Sequence, residues 1–474
     1  MKKFFKKVAG FSLGPIASAF FGIILIPIIT RFISPAEYGR ASMFTVTQGL
    51  LTAIVYLGMD QAYAREFASA KDEKRNELLL NACFPSFVLS LVIGTVLIAA
   101  NSPVSYLLFG SKNETLAVCL MAAMFPFIVI QHFSLTQLRF EGKGFQFSFF
   151  NILLKLFTLI ISVAFLLGFE RSFRSVVYAA ALSEILNGII LYFVVFSKKH
   201  LSLKMLSSSK IKTLLRFALP LIPATMISWV LTSTDKFMLR SMCTYEELGL
   251  YSAASKIVSV LGIFQSVVTT IWVPIAFQWH ESGKDKKYFT LTMRLVSALM
   301  VGVCIMILIC KTVVGWVLGD AFVQAISVFP FLMLYPIMYT MSEITTVGIP
   351  FARKTEYNIL ISAISGGANI LLNYLLIPVL GGVGAAIATG SSYILFFWLR
   401  SLISRKLWFS FPIANLIVYT AIIILNCAIH TFMNGAVPYI VSLISIVVVA
   451  IGALPQVKEA LALLKSKPND DEVT

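Results

Sequence analysis

Fourteen apolar stretches, most of them about 20 residues long, constrain this chain more than any motif does. They fall at residues 8–30, 41–63, 79–100, 115–137, 147–169, 175–196, 217–234, 249–277, 290–310, 326–348, 359–379, 383–399, 411–432 and 438–454. A run of that length crosses about 30 Å of hydrocarbon as a helix. Lipid offers no partner to an open backbone N–H or C=O, so only helices and closed barrels span it. A barrel strand alternates apolar and polar residues with period two, and these runs do not. Composition agrees: 13% of the 474 residues are charged, against roughly 25% in soluble domains. The expected fold is an all-α polytopic membrane protein.

The net charge of +16 reads as loop charge that fixes orientation, not as a nucleic-acid surface. With the N-terminus cytoplasmic, 27 of the 38 basic residues lie on the inner loops and 8 on the outer ones. That bias predicts both termini in the cytoplasm. Lys2, Lys3, Lys6 and Lys7 precede the first apolar run, which continues to Ile29 and is too long for a signal-peptide core. It is expected to remain as the first helix. The six cysteines are scattered, mostly inside apolar runs, with no C-x-x-C, and predict neither metal nor disulfide. No phosphate-binding glycine-lysine loop or metal-spaced histidine pair is present, so neither an enzyme nor a cofactor is expected.

A charged island from Asp235 to Lys256 has an apparent earlier copy. Ser34-Pro35-Ala36-Glu37-Tyr38-Gly39-Arg40-Ala41-Ser42 carries Glu, Gly and Ser at the spacing of Glu247, Gly249 and Ser252. Each copy follows an apolar segment that opens with basic residues and Phe-x-Leu (Phe11-Ser12-Leu13, Phe217-Ala218-Leu219) and carries early prolines, Pro15 and Pro220 with Pro223. Duplicated halves are common in transporters. The longest hydrophilic loop, 197–216, separates an N-terminal six-helix bundle (1–200) from a C-terminal one (201–408). Two additional helices (409–456) and a disordered cytoplasmic tail (457–474) complete the expected plan.

Several pieces, in order, resemble one family. They are the basic opening and first helix, Arg31-Phe32-Ile33-Ser34-Pro35-Ala36-Glu37-Tyr38-Gly39, Gly58-Met59-Asp60, and Tyr63-Ala64-Arg65. Asp235-Lys236, Gly249-x-Tyr251-x-x-Ala254-x-Lys256, Trp272-x-Pro274 and Gly382-Val383-Gly384-Ala385-Ala386 follow. Over residues 1–408 the chain resembles the polysaccharide exporters and O-antigen flippases, whose superfamily also holds multidrug extruders and lipid II flippases. The resemblance implies two pseudo-symmetric bundles around a central cavity in a bacterial cytoplasmic membrane. It implies transfer of an undecaprenyl-pyrophosphate-linked oligosaccharide to the outer leaflet, with glycan polymerase and assembly enzymes as partners. A lipid II flippase or a cation-coupled multidrug extruder is the alternative within the superfamily. An integral-membrane glycan polymerase or acyltransferase is the alternative from another class. That last reading needs a large outer loop with catalytic His or Arg, and the outer loops here are short.

Moving a pyrophosphate and sugars past hydrocarbon requires a wet, cationic path, because a desolvated anion costs many kcal/mol. Charges at membrane depth are therefore the candidates, each costing roughly 2.5–3.5 kcal/mol if it faced lipid. Lys155 and Glu184 read either as a cavity pair with Glu184 coupled to protons, or as a structural ion pair. Lys256 reads as a phosphate or sugar contact, or as a lysine snorkelling to the outer surface. Arg31, Asp235, Lys236 and Arg240 form either an outer gate or solvated loop charge. Asp60 and Arg65 suit an inner gate or an interfacial cap. Glu343 is a second coupling candidate or an interfacial carboxylate. Tyr251, Trp272, Tyr335 and Tyr339 stack on sugars or anchor at the interface.

Overall fold

The computed structural model describes residues 2–71, 74–197 and 202–465. It is helical, with no strand among the described residues, and falls into two compact units, Met1–Phe237 and Met238–Thr474. The N-terminal unit holds α1 (Lys2–Phe32), α2 (Pro35–Val55), α3 (Met59–Phe67), α4 (Arg75–Ala99), α5 (Asn101–Phe109), α6 (Thr115–Phe140), α7 (Gly144–Gly168), α8 (Phe173–Leu191) and α9 (Ser208–Ala218). α10 (Ile222–Met242) carries the chain from one unit into the other. The C-terminal unit holds α11 (Tyr245–Val258), α12 (Leu261–Glu281), α13 (Lys286–Ile309), α14 (Lys311–Leu318), α15 (Ala325–Leu332), α16 (Leu334–Thr345), α17 (Gly348–Phe351), α18 (Glu356–Leu407), α19 (Ala414–Phe432) and α20 (Val437–Lys465).

Among the described residues nine helical segments are long and apolar enough to cross a bilayer, or ten when α2 and α3 count as one bent span. The expected spans at 8–30 and 249–277 coincide with α1 and α11–α12, whereas that at 217–234 is displaced: α10 runs on to Met242, so Asp235, Lys236 and Arg240, expected beyond the span, lie within the helix. α18 has 52 residues, more than twice the about 20 a crossing needs. Gly381 folds it into two arms, with φ 55° and ψ −131°. A Cβ there would lie 2.6 Å from the Glu247 carboxylate, so both the conformation and the space call for glycine.

The α2–α3 span bends by 50° at Leu57 and Gly58, both in the left-handed region. A Cβ on Gly58 would meet the Ala218 carbonyl at 2.9 Å, at the end of α9. α9 overlaps the stretch 197–216 expected as a hydrophilic loop; from residue 202 on, much of that stretch is helix. Its apolar face buries Leu214 and Ala218, while Lys210 pairs with Glu77 at 2.5 Å. Asn81 of α4 holds the preceding chain, donating to the Met205 carbonyl (2.9 Å) and accepting from the Ser207 N–H (2.8 Å). α20 continues to Lys465, through the first part of the expected tail; residues 466–474 lie outside the described residues.

In the N-terminal unit α1 packs along α7, α4 on α6, and α8 on α2, α6 and α7. In the C-terminal unit α18 packs on α11, α15 and α16, while α13 is flanked by α19 and α20. The duplication has a physical counterpart in each unit. Ser34 caps α2 by accepting from the Glu37 N–H (3.4 Å), and Thr244 caps α11 by accepting from the Glu247 N–H (3.3 Å). Each glutamate then caps a second helix start. Phe173 N–H at the head of α8 donates to Glu37 (2.8 Å), and Gly382 N–H at the head of the second α18 arm donates to Glu247 (2.7 Å). These bonds close over 136 and 135 residues. A carboxylate at a helix N-terminus satisfies an orphan donor and meets the positive end of the dipole.

Candidate functional site

The bend at Gly58 starts α3 inside the N-terminal unit, and Asp60 lies in its first turn. Asp60 faces His132 of α6 at 3.6 Å, and the Tyr56 ring stacks on His132 with centroids 3.9 Å apart. Beside them, Glu184 of α8 accepts from Gln48 Nε2 of α2 (3.4 Å) and is hydrogen-bonded by Gln131 of α6. Asn187, one turn on, donates to Gln131 Oε1 (2.9 Å). Tyr56 lies within electrostatic reach of both carboxylates. The second Glu184 oxygen and the Thr47 hydroxyl are buried without a hydrogen-bond partner among the described residues. Four helices thus bring two acids, an imidazole, three amides and a phenol together in one bundle.

Glu184 lies near the middle of the apolar segment Phe173–Phe196. Lys155 of α7 is exposed and acts on Glu184 through space; no contact ion pair joins them among the described residues. Asp60 belongs to this cluster, whereas Arg65 is 60% exposed, beside Glu66 and 4.6 Å from the Phe217 ring. Arg31 is exposed in the last turn of α1.

Asp235 is buried on α10, near the end of the N-terminal unit, and in the C-terminal unit Arg240 lies 4.4 Å from the Tyr245 ring. Lys236 is half-buried; Lys256 is exposed in the last turn of α11. Tyr251 is buried, its hydroxyl 3.4 Å from that of Thr389 on α18. Glu343 of α16 accepts from Arg400 Nη1 at 2.6 Å, with Ser342 Oγ a further acceptor at 2.8 Å. Both partners are largely buried, 8% and 12% exposed. The guanidinium lies 4.9 Å from the Phe396 ring and 5.6 Å from Tyr339. Trp272 is buried among Trp279 and Phe289, in an aromatic core.

Sequence reasoning singled out Glu184, Asp60 and Glu343 but missed Gln48, Gln131, His132, Asn187 and Arg400. The available signal was polarity inside an apolar run. Gln131-His132 interrupts the hydrophobic stretch of α6, and Glu184 and Asn187 share a face at i, i+3. Arg400 reads as loop charge until α18 is seen to continue to Leu407. Among the described residues no three His, Cys, Asp or Glu side chains converge as metal ligands would.

A family model described as "Polysaccharide biosynthesis protein" matches residues 4–280, more than half of the chain. The Lsg locus protein 1 of Haemophilus influenzae is 22% identical over 364 residues, 75% of this chain and 84% of that protein. Among solved structures, the lipid II flippase MurJ in an inward closed conformation has a TM-score of 0.69 at 15% identity, covering 94% of this chain and 99% of that one. An inward-facing multidrug resistance MATE family transporter of the MOP superfamily has a TM-score of 0.61 at 16% identity, covering 84% and 94%. At those identities the likeness to MurJ and MATE is one of fold.

Proposed function

Because the chain belongs to the polysaccharide biosynthesis protein family, we propose that it moves an undecaprenyl-pyrophosphate-linked oligosaccharide from the cytoplasmic to the outer leaflet of a bacterial cytoplasmic membrane. The observation that carries this reading is family membership in a chain that places a carboxylate and amide cluster at mid-depth of its N-terminal bundle. The lipid tail stays among lipids while the headgroup passes through a hydrated interior, which avoids the desolvation cost of its anions. A potential negative inside assists an outward anion by about 2.3 kcal/mol per charge per 100 mV. The working halves are 1–200 and 201–408, with 409–456 appended and both termini cytoplasmic.

In this reading Lys155, Lys256 and Arg31 supply positive charge to the headgroup path, and Tyr251 supports it from the core. Glu184 is the coupling group: its neighbours are amides that hydrogen-bond either protonation state, and Lys155 balances its charge from a distance. The Asp60–His132 contact sits at the α2–α3 bend, where a change of charge bears on the break. Arg65, Asp235, Lys236 and Arg240 serve as gate charges, and Glu343 locks the α16–α18 contact through Arg400. Glycan polymerase and assembly enzymes receive or supply the cargo.

The likeness to a lipid II flippase favours a second reading, in which the cargo is that lipid-linked peptidoglycan precursor. Deleting the gene separates them. The proposed function predicts accumulation of a lipid-linked surface glycan on the inner leaflet with peptidoglycan synthesis intact. Normal surface glycan in the deletion strain contradicts it.

A further inference from the structure

Between residues 331 and 349 of the C-terminal unit every residue is buried except Tyr335 and Tyr339. These two tyrosines stand one turn apart on α16, near the middle of the apolar segment Ala325–Phe351. Interfacial anchors sit at the ends of a span, so an aromatic belt does not account for them. A phenol hydroxyl turned to hydrocarbon would lack a hydrogen-bond partner; Tyr339 has one in Arg400.

Facing them, the second arm of α18 presents Thr389, Tyr393, Phe396 and Arg400. Spacings of four, three and four residues place these on one helix face, the first three half-buried and Arg400 largely buried. The Tyr335 and Tyr393 rings are 4.7 Å apart, Tyr393 and Phe396 5.9 Å, and Tyr339 and Phe396 5.8 Å at an interplanar angle of 15°. Arg400 closes the row, held by Glu343 and Ser342, with its Nε buried and without a partner among the described residues. At 1.5 Å rise per residue the stripe extends about 16 Å along the helix.

Aromatic faces alternating with hydroxyls, and ending in an ion pair, match one class of ligand. A pyranose ring has an apolar C–H face that packs on an aromatic ring and a hydroxyl rim that seeks hydrogen bonds. The Arg400–Glu343 pair is neutral overall, which suits hydroxyls better than a pyrophosphate. We propose that Tyr335, Tyr339, Tyr393, Phe396 and Arg400 form a glycan subsite that holds sugar rings during passage, separate from whatever binds the phosphates. This inference rests on the transport function proposed above.

The test is binding of two probes to the full-length protein in lipid nanodiscs: undecaprenyl pyrophosphate, and the same lipid bearing a trisaccharide. The wild type is expected to bind the sugar-bearing probe more tightly. Tyr393→Leu and Phe396→Leu should each weaken that probe by about two- to tenfold, the scale of one aromatic stacking contact, and leave the sugar-free probe unchanged. Retained binding of the sugar-free probe shows that a variant is folded. Tyr393→Phe keeps the ring and should retain most of the sugar-bearing affinity. Equal binding of the two probes by the wild type, a measurement that depends on no variant, overturns the subsite while leaving the transport reading intact. Leucine variants that bind the sugar-bearing probe as the wild type does have the same consequence. Failure of the wild type to bind either probe overturns both.

Discussion

Arg400 and Glu343 illustrate what a buried charge pair requires. At 2.6 Å and near-complete burial, neither charge has water to fall back on. Arg400→Ala should cost about 3–5 kcal/mol, because it leaves a buried carboxylate uncompensated. Replacing both, Glu343→Gln with Arg400→Met, should recover much of that loss; thermal unfolding of the purified variants measures it. Glu184 makes the opposite case. It has amide partners but no contact ion pair among the described residues. Glu184→Gln and Lys155→Ala are therefore each expected to insert and unfold like the wild type while losing glycan export. Strong destabilisation of both single variants, relieved in the double variant, would instead identify a structural pair. The acids were legible in the sequence because a carboxylate inside an apolar run is rare. Their partners were not, since Gln48, Gln131 and Asn187 are ordinary polar residues until three helices bring them together.

At the scale of elements, two glutamates about 210 residues apart do the same work: each gives its backbone N–H to the Ser or Thr that caps its own helix, and its carboxylate caps the start of another. The sequence carried this as a Glu-Gly-Ser spacing with no sign of the second helix, because the donating amides, Phe173 and Gly382, lie 136 and 135 residues downstream. Glu37→Ala and Glu247→Ala should each cost about 1 kcal/mol, the usual worth of a cap. Gly381→Ala should cost about 1–3 kcal/mol through its left-handed backbone, plus the clash with Glu247. A Glu247→Ala background should relieve the clash but not the backbone term. Additive losses in that double variant, read from unfolding midpoints, would contradict the contact. The short helices α5 and α14 and the amphipathic α9 were read as loops, since none is long and apolar enough to register as a span.

For the whole molecule, apolar length and loop charge were enough to read an all-helical membrane protein, and the helices fall where the fourteen apolar runs lie. Sidedness, cargo and coupling belong to chemistry that periodicity does not encode. The central claim is that the chain carries a sugar-bearing lipid across a bilayer and that Glu184 takes part. The most direct test is reconstitution into vesicles holding a fluorescent undecaprenyl-pyrophosphate oligosaccharide on one leaflet. Its arrival on the other leaflet is followed with a membrane-impermeant quencher under an imposed potential. Wild-type protein should speed crossing well above protein-free vesicles, and Glu184→Gln, incorporated equally, should abolish the gain. Crossing no faster with the wild-type protein than without it would contradict the account.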